Sequence, residues 1–298
     1  MVSPLGFGSA NIGYLGADVA RTGEILNLLL DSGMNLIDTA ACYPASEELI
    51  GKSVAHRRAE FVLVTKCGHS VEGTTGREWS AELVTETVER SLRRLQTDCI
   101  DVVLLHSCDL AVLRRGEVLE ALERARRSGK VRHVGYSGDN EAAAYAAGLK
   151  EVSVIETSVS ICDQANIEAV LPACGAAEKG VLAKRPVANA AWKDLSEQRG
   201  TYQNYARSYA ERFASLGLTP AALGFEGEPG KEWPRLALRF TLSQPGVHCA
   251  IVGTTSPANA RRNLEIAAEG PLPPETVRQI REAFLKARGE QQDWPGLT

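Results

Sequence analysis

The chain alternates between short β-rich runs and longer amphipathic segments, and this alternation limits its possible folds more than any other feature. Eight apolar runs are present, at 5–8, 35–40, 61–66, 101–106, 131–137, 152–157, 180–187 and 248–254. Amphipathic segments follow them near 20–32, 46–56, 80–95, 111–127, 139–148, 164–178, 233–243 and 257–267. Continuous apolar strands that alternate with helices are typical of a parallel sheet covered by helices.

Eight such units predict an α/β fold, the (β/α)8 or TIM barrel. A doubly wound sheet is the alternative, but no GxGxxG follows the first run, and eight strands would be long for one layer. The 298 residues fit a single barrel domain over 1–298. We expect an elaborated loop at 188–232, above the barrel mouth, and a C-terminal helix with a loose tail at 274–298.

Charge and cysteine usage exclude several classes of function. The net charge of −4 gives no general attraction to nucleic acid or anionic lipid. No run approaches the roughly 18 apolar residues of a membrane span, and the first residues lack the pattern of an export signal. The seven cysteines never form CxxC, which disfavours disulfide frameworks and zinc sites. We therefore expect a cytoplasmic protein with free thiols, no metal and a small-molecule partner; the oligomeric state stays open.

Polar side chains stand where three apolar strands end. Asp38 ends the second run, Lys66 the third and His106 the fourth, while Tyr43 lies in the loop after Asp38. The C-terminal strand ends carry the reacting groups of such barrels. We predict a proton-transfer site in which the Lys66 ammonium brings the phenol pKa of Tyr43 from about 10 towards neutrality. Asp38 would hold Lys66, and a neutral His106 would donate a hydrogen bond to a carbonyl oxygen.

Taken one at a time, these four residues also allow ordinary structural roles, such as a helix cap, a rim lysine, a surface aromatic and a buried strand-end histidine. The other histidines are expected to be structural or solvated: His56, His69, His133 and His248.

Four motifs together resemble the aldo-keto reductase superfamily. They are DTAxxY from Asp38 to Tyr43, VTK at Lys66, SLRRLQTDCIDVVLLH ending at His106, and VGYS in the fifth run. The resemblance covers residues 4 to about 268. It implies that these four residues form a catalytic tetrad. It also implies NAD(P)H-dependent reduction of an aldehyde or ketone to an alcohol, with Tyr43 as general acid.

The resemblance further implies a nicotinamide dinucleotide, bound in an extended pose across the barrel mouth. Ser137 matches a serine that holds the carboxamide, with Gly138 in place of the usual Asn. Glu156 stands where a Gln commonly holds the same amide, and a carboxylate accepts from the amide NH₂ but does not donate unless it is protonated. Lys184 occupies a position where many relatives place an aromatic against the nicotinamide ring.

The run VGTTSPANARRN after the eighth strand suits phosphate binding, although an ordinary helix start has a similar composition. Its candidate cofactor-binding residues are Gly253, Thr254, Thr255, Asn259, Arg262 and Asn263. Relatives that prefer NADP(H) have a basic residue near Asn259. Here Arg261 and Arg262 supply the charge, so the resemblance favours NADP(H) over NAD(H). Arg262 and Asn263 also fall where the family contacts adenine.

Substrate choice would come from loops, with Trp79, Cys108 and Trp192 as candidates that could equally be ordinary packing.

Two other functions stay open. The superfamily includes cofactor-sensing regulatory subunits of membrane channels with little turnover. A barrel lysine such as Lys66 could also attack a carbonyl as a Schiff-base aldolase, although Asp38 should keep it charged and non-nucleophilic.

Overall fold

The computed structural model describes residues 1–198, 202–289 and 294–297. Within them, eight parallel strands form a closed barrel in which each strand pairs with the next and the last pairs with the first. The strands are β1 (Leu5–Gly8), β2 (Leu36–Asp38), β3 (Val62–Cys67), β4 (Ile100–His106), β5 (Val131–Ser137), β6 (Val154–Ser158), β7 (Gly180–Lys184) and β8 (Cys249–Val252). The predicted single-domain (β/α)8 barrel is confirmed.

Helices cover the outside of the barrel and the connections at its mouth. They are α1 (Ala10–Tyr14), α2 (Val19–Asp31), α3 (Ser46–Val54), α4 (Ala81–Leu95), α5 (Leu110–Arg115), α6 (Glu117–Arg127), α7 (Asn140–Ala147), α8 (Ala165–Ala169), α9 (Leu171–Ala176), α10 (Tyr202–Leu216), α11 (Pro229–Leu242), α12 (Pro257–Ala268) and α13 (Pro274–Arg288). Short 3₁₀ turns lie at Ala55–Glu60, Ala188–Ala190, Leu195–Glu197 and Ala221–Leu223.

Two segments predicted as single helices are each divided into two. The segment 111–127 breaks between α5 and α6 at Gly116, whose φ of +75° suits glycine far better than other residues. The segment 164–178 is divided between α8 and α9, where Pro172 occupies the first turn of α9 and has no N–H to continue the preceding helix.

The two-residue period of the strands decides which side chains reach the barrel interior. Leu63 and Leu105 pack outwards against the helices, whereas Val64 and Leu104 lie in the separate cluster that fills the barrel. Lys66 lies two residues after Val64 and His106 lies two residues after Leu104, so both point to the barrel interior. Asp38 also points inward, because it lies two residues after the inward-facing Leu36. The strand pattern therefore directs these three polar side chains to the top of the barrel interior.

The segment 188–232 and the chain end both contact the loops at the C-terminal ends of the strands. In α10, the Tyr209 hydroxyl lies 3.2 Å from Asp163 Oδ2, just after β6. The Leu297 N–H donates to the same Asp163 oxygen at 3.0 Å, so the described part of the tail is docked rather than loose. Residues 199–201, 290–293 and 298 of the predicted loop and tail lie outside the described residues.

No helix within the described ranges is long and apolar enough to cross a lipid bilayer. All seven cysteines lie in those ranges and are free thiols, five of them buried.

Candidate active site

The four residues predicted to form a tetrad come together at the barrel mouth. The loop after β2 is held to β3 because the Ala41 N–H donates to the Lys66 carbonyl at 3.1 Å. A turn then brings the Tyr43 N–H to the Ala40 carbonyl at 3.0 Å. The Tyr43 ring centroid consequently lies 5.7 Å from Lys66 Nζ and 5.9 Å from the His106 ring, which it meets edge-on.

Lys66 is fully buried, and its ammonium lies among three oxygens. Nζ lies 2.5 Å from Asp38 Oδ1, 2.9 Å from the Thr39 carbonyl and 3.3 Å from Glu156 Oε2. The first two contacts are hydrogen bonds, whereas the contact with Glu156 Oε2 is an ion pair without hydrogen-bond geometry. Burial lowers the pKa of Lys66, but the charges of Asp38 and Glu156 outweigh burial and raise that pKa above its ordinary value. Lys66 is therefore a fixed cation at neutral pH.

Two carboxyl groups share this one ammonium. Burial and the charge of Glu156 raise the pKa of Asp38 well above its usual range, and Lys66 only partly opposes them. Glu156 Oε1 accepts a hydrogen bond from the Ser137 hydroxyl at 3.1 Å. Its other oxygen, Oε2, is buried and accepts no hydrogen bond from the described residues. Glu156 also raises the pKa of Lys184, so the two carboxyl groups lie near a second cation.

The structure corrects the predicted titration of Tyr43. Burial raises the pKa of its phenol above the ordinary value. Lys66 does lower this pKa, as expected, but the charges of Asp38 and Glu156 oppose Lys66, and the net shift is upward. Tyr43 is therefore a protonated phenol at neutral pH, in the state needed to donate a proton.

The surroundings of His106 favour its neutral form. Burial lowers the pKa of its imidazole well below the usual value, and the nearby charges of Lys66, Lys184 and Arg185 lower it further. Its Nδ1 lies 3.4 Å from Cys42 Sγ, so the ring is held from the side of the loop that carries Tyr43. If the Cys42 thiol donates to Nδ1, the one N–H of the neutral ring lies on Nε2, where it can donate to a substrate oxygen.

Sequence reasoning missed two groups around this cluster, His69 and Tyr14, whereas Trp79 was among its candidates for substrate choice. His69, expected to be structural or solvated, is partly exposed and has its ring centroid 5.2 Å from that of His106. Trp79 packs on His69 at 4.9 Å and lies over Gly68, where a Cβ atom would come within 2.0 Å of the indole. Tyr14 lies 5.7 Å from the Tyr43 ring. The position of His69, just past the end of β3, was the available signal.

The other two candidate substrate-selecting residues belong to packing. Cys108 is buried, and its carbonyl accepts the Tyr136 hydroxyl at 2.7 Å. The same hydroxyl explains why residue 138 is a glycine, because a Cβ atom there would lie 2.4 Å from the Tyr136 oxygen. Trp192 packs against Phe213 in a cluster of α10 and α11 side chains.

Ser137, Glu156 and Lys184 lie at or near the ends of three adjacent strands. Ser137 pairs in register with Glu156, while Lys184 ends β7. Lys184 Nζ lies 3.1 Å from Asp139 Oδ2. Although burial raises the pKa of Asp139, Lys184 and the Ser158 N–H lower it to about 2, so Asp139 is ionised. Asp139 therefore carries a negative charge beside two cations, Lys184 and Arg185.

The loop after β8 is compact and largely bonded to itself. Thr254 is buried, and its hydroxyl oxygen accepts the Ser256 N–H at 3.1 Å. Ser256 caps α12 by accepting the Asn259 N–H at 3.4 Å. At Gly253 a Cβ would lie 2.5 Å from the Gly8 carbonyl, so β1 and β8 approach closely there. Thr255 is partly exposed beside them.

The two arginines of α12 differ in their surroundings. Arg261 is exposed, whereas Arg262 is partly buried and donates from Nη2 to the Lys231 carbonyl at 2.8 Å. Asn263 lines a small cavity together with Thr254 and Ala260. Arg261 is therefore the cation with more freedom to meet an anion at the start of this helix.

Comparison with known proteins agrees with this geometry. Residues 4–284 match the model of the aldo/keto reductase family. L-galactose dehydrogenase of Arabidopsis thaliana is 26% identical over 282 residues, with 90% of this chain and 85% of that protein covered. An uncharacterised oxidoreductase of Bacillus subtilis, YqkF, is 28% identical over 297 residues, with 94% and 92% covered. The holo form of an aldo-keto reductase from Bacillus halodurans superposes with a TM-score of 0.79 at 27% identity, covering 97% and 95%. With the barrel and nearly the whole sequence both matched, the chain belongs to the aldo/keto reductase family.

Proposed function

We propose that this protein is an NAD(P)H-dependent oxidoreductase that reduces an aldehyde or ketone to an alcohol. The observation that carries the proposal is the buried Lys66 ammonium, held by Asp38 beneath the ring of a protonated Tyr43. Tyr43 donates its proton to the carbonyl oxygen. The neutral His106 donates a hydrogen bond to the same oxygen, and Lys66 stabilises the phenolate that forms.

The residues present fit a nicotinamide cofactor. The buried Glu156 Oε2 accepts no hydrogen bond within the described chain, which leaves it free to accept from a carboxamide NH₂, and Ser137 lies beside it. Lys184 is bound to Asp139 and supplies no aromatic surface for the ring. When bound, the cofactor supplies the hydride; the protein supplies the proton, the hydrogen bonds and the dry environment.

The charge of Lys66 argues against the aldolase alternative. A Schiff base needs a neutral amine, and an amine becomes nucleophilic when burial lowers its pKa. In this site Asp38 and Glu156 raise the pKa of Lys66 instead. Lys66 therefore acts as a fixed charge.

Turnover separates the proposed enzyme from a regulatory member of the superfamily. Steady-state oxidation of NADPH in the presence of simple aldehydes supports the enzyme. Tight retention of the cofactor without turnover across a panel of aldehydes and ketones would contradict it and support the regulatory alternative.

We expect replacement of both Arg261 and Arg262 by alanine to weaken NADPH binding by roughly ten- to a hundredfold while NADH binding changes little. A 2′-phosphate brings close to two negative charges, and one charge-assisted contact contributes about 1.5 to 3 kcal/mol. The exposed Arg261 lies in the first turns of α12, where the helix dipole also favours an anion. Dissociation constants from calorimetry measure the effect.

The single variants and salt provide the controls for this prediction. Because Arg262 is bound to the Lys231 carbonyl, Arg261→Ala should account for most of the loss. Added salt should narrow the NADPH preference of the unaltered protein, since the contact is ionic and partly exposed. Equal binding of the two cofactors, unchanged in the double variant, would place the phosphate elsewhere and favour NAD(H).

A further inference from the structure

A second histidine, His69, lies beside His106 and has no part in the reaction described above. The centroids of the two rings are 5.2 Å apart. The His69 side chain is 39% exposed, so a ligand that enters the barrel mouth can reach it. Because His106 binds the substrate oxygen in the proposed function, a substrate bound there lies next to His69 as well.

The loop that carries His69 is held in one conformation. Trp79 has a φ of +59°, a backbone conformation that is costly for a residue other than glycine and persists only where contacts hold it. Its N–H donates to the Gly68 carbonyl at 3.1 Å, and its indole meets the His69 ring at 4.9 Å. Arg90 of α4 fixes the middle of the loop by donating from Nε to the Glu72 carbonyl at 2.9 Å. The His69 ring is therefore positioned by packing beside the site.

Glu78 decides which nitrogen of His69 is left for a ligand. Its Oε1 lies 2.8 Å from His69 Nδ1. A carboxylate oxygen only accepts hydrogen bonds, so Nδ1 carries the hydrogen, and Nε2 of the neutral ring carries the lone pair. Nε2 forms no hydrogen bond with the residues that the structure describes. A substrate that displaces water from Nε2 must therefore offer a donor if no hydrogen bond is to be lost.

The chemistry of the substrate limits what this donor is. A carbonyl oxygen only accepts, so the donor belongs to another group of the same molecule. A hydroxyl on the carbon next to the carbonyl is the donor that lies closest to the oxygen bound by His106. An ammonium at the same place would also donate, but it would lose the hydration of a full charge for contact with an uncharged ring. A hydroxyl has no such cost.

We propose that His69 is a specificity-determining residue, which selects substrates with a hydroxyl group on the carbon next to the carbonyl by accepting a hydrogen bond from that hydroxyl at Nε2. This assignment rests on the proposed function and narrows its substrate class from aldehydes and ketones in general to their α-hydroxy derivatives. Glu78 is a positioning residue, because it acts only through the orientation and tautomer of His69.

A matched pair of aldehydes tests the proposal, since glycolaldehyde carries the hydroxyl and acetaldehyde lacks it. Their kcat/KM values are measured with NADPH at about pH 8, above the range in which imidazole is ordinarily protonated. His69→Phe keeps a ring against Trp79 and removes both nitrogens. The ratio of the glycolaldehyde value to the acetaldehyde value should fall roughly tenfold, as expected for the loss of one hydrogen bond. Hydration of the aldehydes is the same for every variant and cancels.

Further variants and one further substrate make the test specific. His69→Gln keeps an acceptor in place of Nε2 and should keep most of the ratio, whereas Glu78→Leu should lower it because the ring is no longer held with Nε2 as acceptor. His133→Phe removes an exposed histidine of β5 and should change neither kcat/KM value. Methoxyacetaldehyde keeps the oxygen but cannot donate, so its reduction should respond to His69→Phe as that of acetaldehyde does.

Two results would overturn the assignment while leaving the proposed function intact. One is a ratio that stays the same in the unaltered protein, in His69→Phe and in His69→Ala, the last of which keeps the test available if the larger side chain does not fold. The other is an equal loss for both aldehydes, which would mean that His69 acts on His106 and not on a hydroxyl. An unaltered protein that reduces neither aldehyde with NADPH would instead overturn the proposed function.

Discussion

Replacing Tyr43 by phenylalanine is expected to lower kcat for carbonyl reduction by roughly 10²- to 10⁴-fold, the range typical of losing a general acid. The substitution removes one oxygen and keeps the ring that lies 5.7 Å from Lys66 Nζ and 5.9 Å from the His106 ring. Lys66 and Asp38 keep their ion pair, so the packing of the cluster should survive. Steady-state oxidation of NADPH with a reactive aldehyde measures the loss.

Cofactor affinity is the control for this variant. The Tyr43 hydroxyl has no part in the proposed carboxamide contacts of Ser137 and Glu156, so the dissociation constant for NADPH should change little. An enzyme that reduces aldehydes at nearly the original rate without this hydroxyl would show that another group donates the proton.

Lys66→Met is expected to lower kcat by at least about tenfold. Each unit by which the pKa of Tyr43 rises corresponds to ~1.4 kcal/mol, or a factor of about ten in rate. Lys66 is the group that lowers the pKa of Tyr43, against burial and two carboxyl groups. Its removal raises that pKa further and makes the phenol a weaker acid. The reduction rate falls as pH rises through the Tyr43 pKa, so the alkaline limb of the pH–rate profile should move to higher pH.

The pH–rate profile of Lys66→Met distinguishes a changed pKa of Tyr43 from structural damage to the site. Lys52→Met, on the exposed surface of α3, removes a lysine with no role in the site and should leave both kcat and the profile unchanged. The thermal unfolding midpoint should be measured in parallel, because Lys66→Met leaves two buried carboxyl groups without their cation. Lower activity with an unmoved alkaline limb would mean that Lys66 does not tune Tyr43.

The barrel could be predicted from the sequence because its strands are continuous apolar runs at regular spacing. The eight predicted runs coincide with the eight strands to within a few residues at either end. The helix breaks at Gly116 and Val170 were not predicted, because the amphipathic period continues through both. A hydrophobic pattern records which face is buried, whereas these breaks depend on a single backbone conformation.

The grouping of the four candidate residues could also be predicted, since each of them ends a strand or lies in the next loop. The direction in which the pKa of Tyr43 shifts could not be predicted, because it depends on how the effect of burial compares with those of three neighbouring charges. Glu156 was found as a departure from a family pattern, but its contact with Lys66 appears only once β3 and β6 face each other across the barrel. The ion pair of Lys184 with Asp139 likewise depends on side-chain positions.

Two backbone amides of the docked chain end can be used to follow the opening of the barrel mouth. The Gly296 N–H donates to Asn140 Oδ1 and the Leu297 N–H donates to Asp163 Oδ2, across 156 and 134 residues of chain. Asn140 begins α7 and Asp163 lies in the loop after β6. Gly296 lies so close to Asp139 that a Cβ would approach it to 2.7 Å. Short terminal segments open at a far lower free energy than a barrel strand. Deuterium uptake at these two amides therefore measures how often the mouth loosens, separately from global unfolding.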